Sequence, residues 1–523
     1  ETGATIWPAA PLSLSQALRT LTHGLLAVAI SLGAVTRSSA AEQLLVRFSG
    51  LQLPLDLNEL ESWALQPQVN AELGPWLNLL DPATRQDLQR ILRQPLNLES
   101  STIALLLESW AGRQLVLQLG SLLRSADGDG GPLLLDLLQR RQSSTVVSLL
   151  KEAPTPHLEL DLDALSALGF RLRSQLEQQK DLLQELNALR LMPLSFVRST
   201  RSEVQHQRRP LPVPHRDRPL ELDLWWPTGM APSKRWLLIS HGLGGSTAQM
   251  EWLANDLAAR GWPVMAVQHP GSDDAAVRGL LEGRQTLPGL ETLPARLRDL
   301  QVVQAAVASG QLGFGPHGSP PRLVLLGHSL GALASLFWAG AEVEPGLAQR
   351  CARNLQQIPV LDSSFLLQCQ LTELTLPLLE PPEGLDAVIV LNSFGSLLWG
   401  EQGLASIDVP VLSIGGSMDL ITPPLNEQLR PFQQLQHPNS RLAVVEGGSH
   451  FSAVGMRRDQ ALMRLGSDLV GEDPRLVQQA LVELHVRFLD SLDEGGSAPR
   501  GIQSVAGVRT YVLDGEMAEP LQP

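Results

Sequence analysis

A chain of 523 residues is long enough for two or three domains, and a hydrophobic share of 43% suffices for a sizeable core in each. The net charge of −14, with no long basic block, excludes nucleic acid as an expected partner, because phosphate binding needs clustered positive charge. The two cysteines, Cys351 and Cys369, form no C-x-x-C pair and show no zinc spacing, so neither a metal nor a cofactor is expected. They leave two readings open: one disulfide in an exported protein, or two small buried hydrophobes.

Residues 1–41 read as a signal-peptide-like segment. Arg19 and His23 precede a mostly apolar run over 25–35, and the small residues of Thr36-Arg-Ser-Ser-Ala-Ala-Glu42 suit cleavage after Ala40 or Ala41. The run is short for a bilayer span. The expected location is therefore exported, either periplasmic or secreted.

Residues 42–192 read as an all-α N-terminal domain. Asp81 can cap a helix that opens on Pro82, where no amide bond is lost, and Leu88, Ile91 and Leu92 follow at helical spacing. Further helices are expected over 101–110 and 133–138, with a Gly-rich loop over 127–132 and one long helix over 163–191. No catalytic residue types gather here. Leucine-rich helices need an apolar surface to cover, and the expectation is that they shield an active site in the C-terminal half of the chain. Peripheral membrane contact and a bound partner are the alternatives.

Residues 193–219, rich in arginine and proline, read as an extended linker. From 220 to 494 the pattern becomes strand, loop, helix, repeated, with buried-strand runs at 235–240, 263–267, 323–326, 387–391, 409–414 and 442–445. Such alternation predicts an α/β fold, a mostly parallel sheet flanked by helices. Residues 341–384 exceed a simple connection and are a candidate cap. Residues 495–523 read as a loosely ordered C-terminal tail.

The chemistry centres on Gly327-His-Ser-Leu-Gly331, a G-x-S-x-G turn between an apolar strand and a small-residue helix. This turn presents Ser329 with its hydroxyl free to attack an acyl carbon. A serine needs a base, and the base needs a third group to orient it. In this type of sheet the order along the chain is serine, acid, histidine. Asp419 follows the strand at 409–414 and His450 follows the strand at 442–445, both beyond C-terminal strand ends, where catalytic groups collect. Ser329 is thus the expected nucleophile, His450 the base then acid, and Asp419 the orienting group. Asp386 and Asp408 sit at the wrong strand edge. His437 precedes its strand, His485 lies in an amphipathic helix, and His328 and His241 read as structural. The expected oxyanion donors are the N–H groups of Leu330 and of Leu243, the latter in the loop Ser240-His-Gly-Leu-Gly-Gly-Ser246.

Six motifs in order make residues 199–490 resemble the α/β-hydrolase superfamily: Leu224-Trp-Trp-Pro227, Ser240-His-Gly-Leu-Gly-Gly245, Gln268-His-Pro-Gly-Ser272, Gly327-His-Ser-Leu-Gly331, Gly415-Gly-Ser-Met-Asp419 and Gly448-Ser-His-Phe451. They are most similar to bacterial predicted dienelactone hydrolases and related to platelet-activating-factor acetylhydrolases. The resemblance implies ester hydrolysis through an acyl-enzyme, on small or lipid-like esters. True dienelactone hydrolases use a cysteine nucleophile where this chain has Ser329. Animal platelet-activating-factor acetylhydrolases carry the acid one strand earlier, where this chain has Asn392-Ser-Phe394. The front half resembles a cyanobacterial domain of unknown function that precedes such hydrolases. The expected activity is that of a serine carboxylesterase. An acyltransferase with the same three residues, or a binding protein on a hydrolase fold, are the alternatives.

Overall fold

A computed structural model describes residues 41–66, 73–78, 82–93, 104–105, 107–125, 128–140, 145–155, 157–195, 200–312, 322–356, 362–377, 379–455 and 471–521. The signal-like segment, apart from Ala41, lies outside these residues. Among them, no helix is long and apolar enough to cross a membrane.

The front region is not all-α. It contains β1 (Gln43–Phe48), β2 (Leu51–Asp56), β3 (Leu123–Ser125), β4 (Gly128–Asp129) and β5 (His157–Asp161), paired in the order β2-β1-β5-β3-β4. β1 and β2 form an antiparallel hairpin that turns at Ser49 and Gly50, both at positive φ. β1 then pairs in parallel with β5, more than a hundred residues later. Leu44 and Val46 alternate inward from β1 and join Leu57, Trp63, Val147 and Leu158 in one core. The longer described helices of this module are α1 (Leu57–Leu65), α2 (Pro82–Arg93), α3 (Trp110–Gly120), α4 (Gly130–Arg140) and α5 (Val146–Lys151), with a single turn at Gly74–Leu77. Asp56 caps α1 by accepting from the Asn58 N–H at 2.7 Å, so strand passes directly into helix.

The long helix α6 (Leu162–Ala188) leaves this module and lies along a second, larger sheet. Leu182 and Leu186 on α6 share a core with Leu425, Leu429, Phe432, Tyr511 and Leu513.

The second sheet has ten strands: β6 (Val204–Leu211), β7 (Leu220–Pro227), β8 (Arg235–Ser240), β9 (Val264–Val267), β10 (Arg322–His328), β11 (Leu385–Leu391), β12 (Val411–Gly416), β13 (Arg441–Val445), β14 (Gly501–Val505) and β15 (Val508–Leu513). Their order is β14-β15-β13-β12-β11-β10-β8-β9-β7-β6. The six strands from β13 to β9 run parallel, and antiparallel strands extend both edges. Successive residues face opposite layers. Leu238, Leu325 and Val390 pack on α9 (Leu293–Ala308) and α10 (Leu330–Trp338), while Leu237, Val324 and Ile389 pack on α7 (Glu251–Ala259) and α13 (Pro474–Asp493). Between α7 and α9 lies α8 (Asp274–Leu281). A parallel sheet covered on both faces is the fold that the hydrolase resemblance implies.

Two boundaries differ from those read in the sequence. The expected linker at 193–219 contains β6, an edge strand that pairs with β7 along its whole length, from Val204 opposite Pro227 to Leu211 opposite Leu220. The expected tail at 495–523 contains β14, β15 and a short helix, Gly515–Ala518, so the sheet unit reaches past 494.

The insertion at 341–384 carries α11 (Leu347–Asn354) and α12 (Ser364–Gln370), joined by a Cys351–Cys369 disulfide across 18 positions. Replacing both cysteines by alanine should lower stability by about 3 kcal/mol, the chain entropy released by opening a loop of that size. A urea midpoint unchanged by the double substitution would contradict this.

Candidate active site

β10 ends in a turn at Ser329, whose φ of 52° and ψ of −117° are rare for a residue with a side chain. The turn is tight because neighbouring backbone leaves no room. A Cβ on Gly331 would lie 1.9 Å from the Ser240 carbonyl oxygen, and one on Gly327 2.2 Å from the Gly331 carbonyl oxygen. The Ser329 N–H donates to the Leu391 carbonyl at 2.9 Å and pins the turn to β11.

Three of the residues singled out in the sequence meet here. His450 Nε2 lies 3.1 Å from Ser329 Oγ, and His450 Nδ1 lies 2.9 Å from Asp419 Oδ2. All three are buried, Ser329 being 9% exposed. Burial pushes the Asp419 carboxyl up, but the charge and hydrogen bond of His450 and the donors of Thr422 outweigh it, so its pKa falls below the ordinary value. Asp419 Oδ1 accepts from the N–H groups of Ile421 and Thr422, at 2.9 and 2.8 Å. Its Oδ2 also accepts from Thr422 Oγ1 at 2.6 Å and from Asn392 Nδ2 at 2.7 Å. An acceptor saturated in this way stays ionised and fixed, which holds the proton of His450 on Nδ1 and leaves Nε2 free to accept.

Asn392 and Thr422 were not read from the sequence as site residues. Asn392 stands at the end of β11 with φ of 50°, one strand before Asp419. Its position at a strand's C-terminal end was the readable signal.

The loop after β8 passes beside the serine, since a Cβ on Gly242 would lie 3.2 Å from Ser329 Cβ. Within the loop, Gly244 N–H donates to the Ser272 carbonyl and Gly245 N–H to the Gly242 carbonyl. Leu243 N–H takes no part in these bonds. Leu330 is the first residue of α10, so its N–H has no partner within the helix.

The other histidines weighed in the sequence each hold a hydrogen-bond partner of their own. His328 Nε2–H donates to the His450 carbonyl at 3.0 Å, and burial, with His450 nearby, pushes its pKa to about 3. His241 Nδ1–H donates to the Gly242 carbonyl at 2.7 Å, while its Nε2 accepts from the His269 N–H at 3.1 Å. His485 Nδ1–H donates to the Leu481 carbonyl, one turn back on α13, and His437 Nδ1 accepts from the Asn439 N–H. Asp386 pairs with Arg235 and Arg322 near the N-terminal ends of the strands, away from Ser329.

A second Ser–His–Asp alignment lies behind the Gly242 loop. Ser240 Oγ is 3.0 Å from His269 Nε2, and His269 Nδ1 is 2.8 Å from Asp299 Oδ2. Asp299 also holds Arg216 at 2.6 Å and His215 at 2.7 Å. Ser240 is 1% exposed and His269 and Asp299 are fully buried, so no substrate reaches this hydroxyl. The signal for it was two charges, Arg296 and Asp299, on the otherwise apolar stripe that carries Leu293, Leu300 and Val303 of α9.

The insertion and α6 pack on the loop after Asp419, and the front module packs on the insertion. Asp362 N–H donates to the Leu420 carbonyl at 3.1 Å, and Gln179 of α6 approaches the Asp419 carbonyl at 3.5 Å. Trp110 Nε1 of α3 donates to Glu373 at 2.7 Å, and Gln118 to the Leu355 carbonyl at 3.0 Å. Among the described residues, no group of three or more histidine, cysteine or acidic side chains could hold a metal.

The family described as "Alpha/beta hydrolase of unknown function (DUF1400)" matches residues 40–161. That segment is the front module, and the sheet with Ser329, Asp419 and His450 lies beyond it. No curated protein matches the chain.

His269 and His485 are held at about 4 and His328 at about 3, each chiefly by burial. Below pH 6.5 the unfolded chain takes up protons that these folded sites refuse, so stability is full above that pH and declines toward pH 4. His485→Leu should shrink the drop in urea midpoint between pH 7 and pH 5. An undiminished drop would show that His485 titrates freely in the folded protein.

Proposed function

We propose that this protein is an α/β hydrolase, and within that class a serine carboxylic-ester hydrolase working through an acyl-enzyme at Ser329. The observation that carries the reading is the continuous hydrogen-bonded chain from Ser329 Oγ through His450 to Asp419, set at a strained turn. In this reading His450 Nε2 takes the hydroxyl proton as Ser329 Oγ bonds to the acyl carbon. The oxyanion is held by the N–H groups of Leu330 and Leu243. Asp419 stabilises the imidazolium, which then returns its proton to the leaving alkoxide. Water enters, gives a proton to His450, and attacks the acyl carbon; the proton then goes to Ser329 Oγ as the acid leaves.

Small or lipid-like esters are the proposed substrates, by likeness of the motifs to the dienelactone and platelet-activating-factor hydrolases. Export is proposed as well, and the Cys351–Cys369 disulfide supports it, since such bonds persist in oxidising compartments. The contacts of Trp110 and Gln118 with the insertion, and of Gln179 with the acid loop, support a shielding role for residues 42–192.

Purified protein should turn over p-nitrophenyl esters and be labelled at Ser329 by a fluorophosphonate. Ser329→Ala should abolish labelling and cut turnover by about a thousandfold or more. Equal turnover by the alanine variant would end the proposal. A panel of esters graded by acyl length would then define the substrate class.

A further inference from the structure

Arg296 of α9 is fully buried, yet every acceptor of its guanidinium is neutral. Nη1 donates to the His241 carbonyl and to Ser240 Oγ at 3.3 Å, and Nη2 donates to Ser272 Oγ at 2.7 Å. Nε has no acceptor. The neighbouring carboxylate, Asp299, is taken by Arg216, His215 and His269 instead. Burial accordingly pushes Arg296 down to about 9, although Asp299 opposes the shift. A cation buried without a direct carboxylate partner is costly, and an apolar residue would stabilise a core better.

Its contacts single out one piece of backbone. His241 opens the loop that carries Leu243, and its carbonyl is held directly by Nη1. On the far side of Leu243, Gly244 N–H donates at 2.8 Å to the carbonyl of Ser272, the residue whose hydroxyl is held by Nη2. One rigid fork therefore holds the loop directly before the Leu243 N–H and, through Ser272, just after it. The second Ser–His–Asp alignment fixes the fork in turn. Asp299 accepts from His269 Nδ1–H, so His269 Nε2 accepts from Ser240 O–H, and Ser240 Oγ is left to accept from Arg296.

We propose that Arg296 is a positioning residue for the oxyanion donor at Leu243, and that the buried Ser240–His269–Asp299 alignment exists to hold that arginine. This deepens the esterase reading and rests on it. The loop's aim matters only once charge develops on the acyl oxygen, so the effect falls on the transition state and not on substrate binding.

The test uses the full chain and begins with a wild type that hydrolyses p-nitrophenyl butyrate and loses that activity in Ser329→Ala. Failure at this step rejects the esterase reading, and the arginine proposal with it. Arg296→Lys keeps the charge but cannot span both sides of the loop. It should lower kcat by about ten- to a hundredfold, a part of what losing a donor outright costs, with KM within about twofold. Affinity for an alkyl boronic acid, whose serine adduct carries the anionic oxygen, should weaken in the same proportion. Ser272→Ala removes one acceptor of the fork and should give a smaller loss of the same kind, so it serves if the lysine variant does not fold. An unchanged kcat in a folded variant, or a rise in KM at constant kcat, would overturn the proposal.

Discussion

Around Ser329 the backbones of three elements touch where side chains normally stand between them. The helix after the serine rests on the Ser240 carbonyl, the strand before it rests on that helix, and the loop after β8 runs against the serine itself. Glycine at 242, 327 and 331 permits this, and the surrounding sheet holds the unusual φ of Ser329, a conformation that costs about 1–3 kcal/mol where it is not enforced. The same contact fixes the other groups. β10, β11, β12 and β13 are consecutive neighbours in the sheet. Their C-terminal ends deliver Ser329, Asn392, Asp419 and His450 in that order, each about 4.8 Å of sheet further on. The Ser–His–Asp distances result from sheet geometry plus two short loops.

Those loops are held from outside the sheet. The segment after Asp419 is pinned by Thr422 and Asn392, by Asp362 of the insertion, and by Leu182 and Leu186 of α6. Glu427 ties the insertion to this segment. It accepts from Gln368 Nε2 at 2.9 Å and from the N–H groups of Gly395 and Ser396, at 2.6 and 3.0 Å. Burial and the charge of Glu427 push the pKa of Asp362 well above the usual carboxyl range, so it keeps its proton and the two acids can share one pocket. The insertion is thus joined to the acid loop by buried polar bonds as well as by apolar contact.

The three-residue chain was legible because each member follows a buried-strand run in an order that the G-x-S-x-G turn anticipates. The front sheet was not legible. Its strands are three to six residues or shorter, its central pair joins segments over a hundred positions apart, and leucine in Gln43–Phe48 or His157–Asp161 fits a helix as readily as a strand. β6 was hidden for another reason. Gln205, His206, Gln207 and Arg208 are all exposed, so an edge strand with no buried face shows no alternation, and Pro210 and the arginines that read as linker also suit an edge. β14 and β15 were masked by the glycine-rich approach to them. Of the network of Arg216, His269, Arg296 and Asp299, only the two charges on α9 left a trace in the sequence, because Arg216 and His269 come from other segments and meet them only when the sheet is built.

β15 has a consequence for how the molecule is made. Its Arg509 carbonyl accepts from the Glu446 N–H at 2.9 Å, its Arg509 side chain pairs with Glu446, and Tyr511 O–H, the sole phenol, bridges Glu446 and Asn187 of α6. Glu446 begins the loop that ends in His450. Synthesis runs from the N-terminus, so the front module can close on itself early, whereas the imidazole's loop gains its anchor only once residues near 510 have emerged. Chains that stop short of this strand would carry a folded front module beside an unfinished centre, and reactivity would arrive only once β15 has been made and paired.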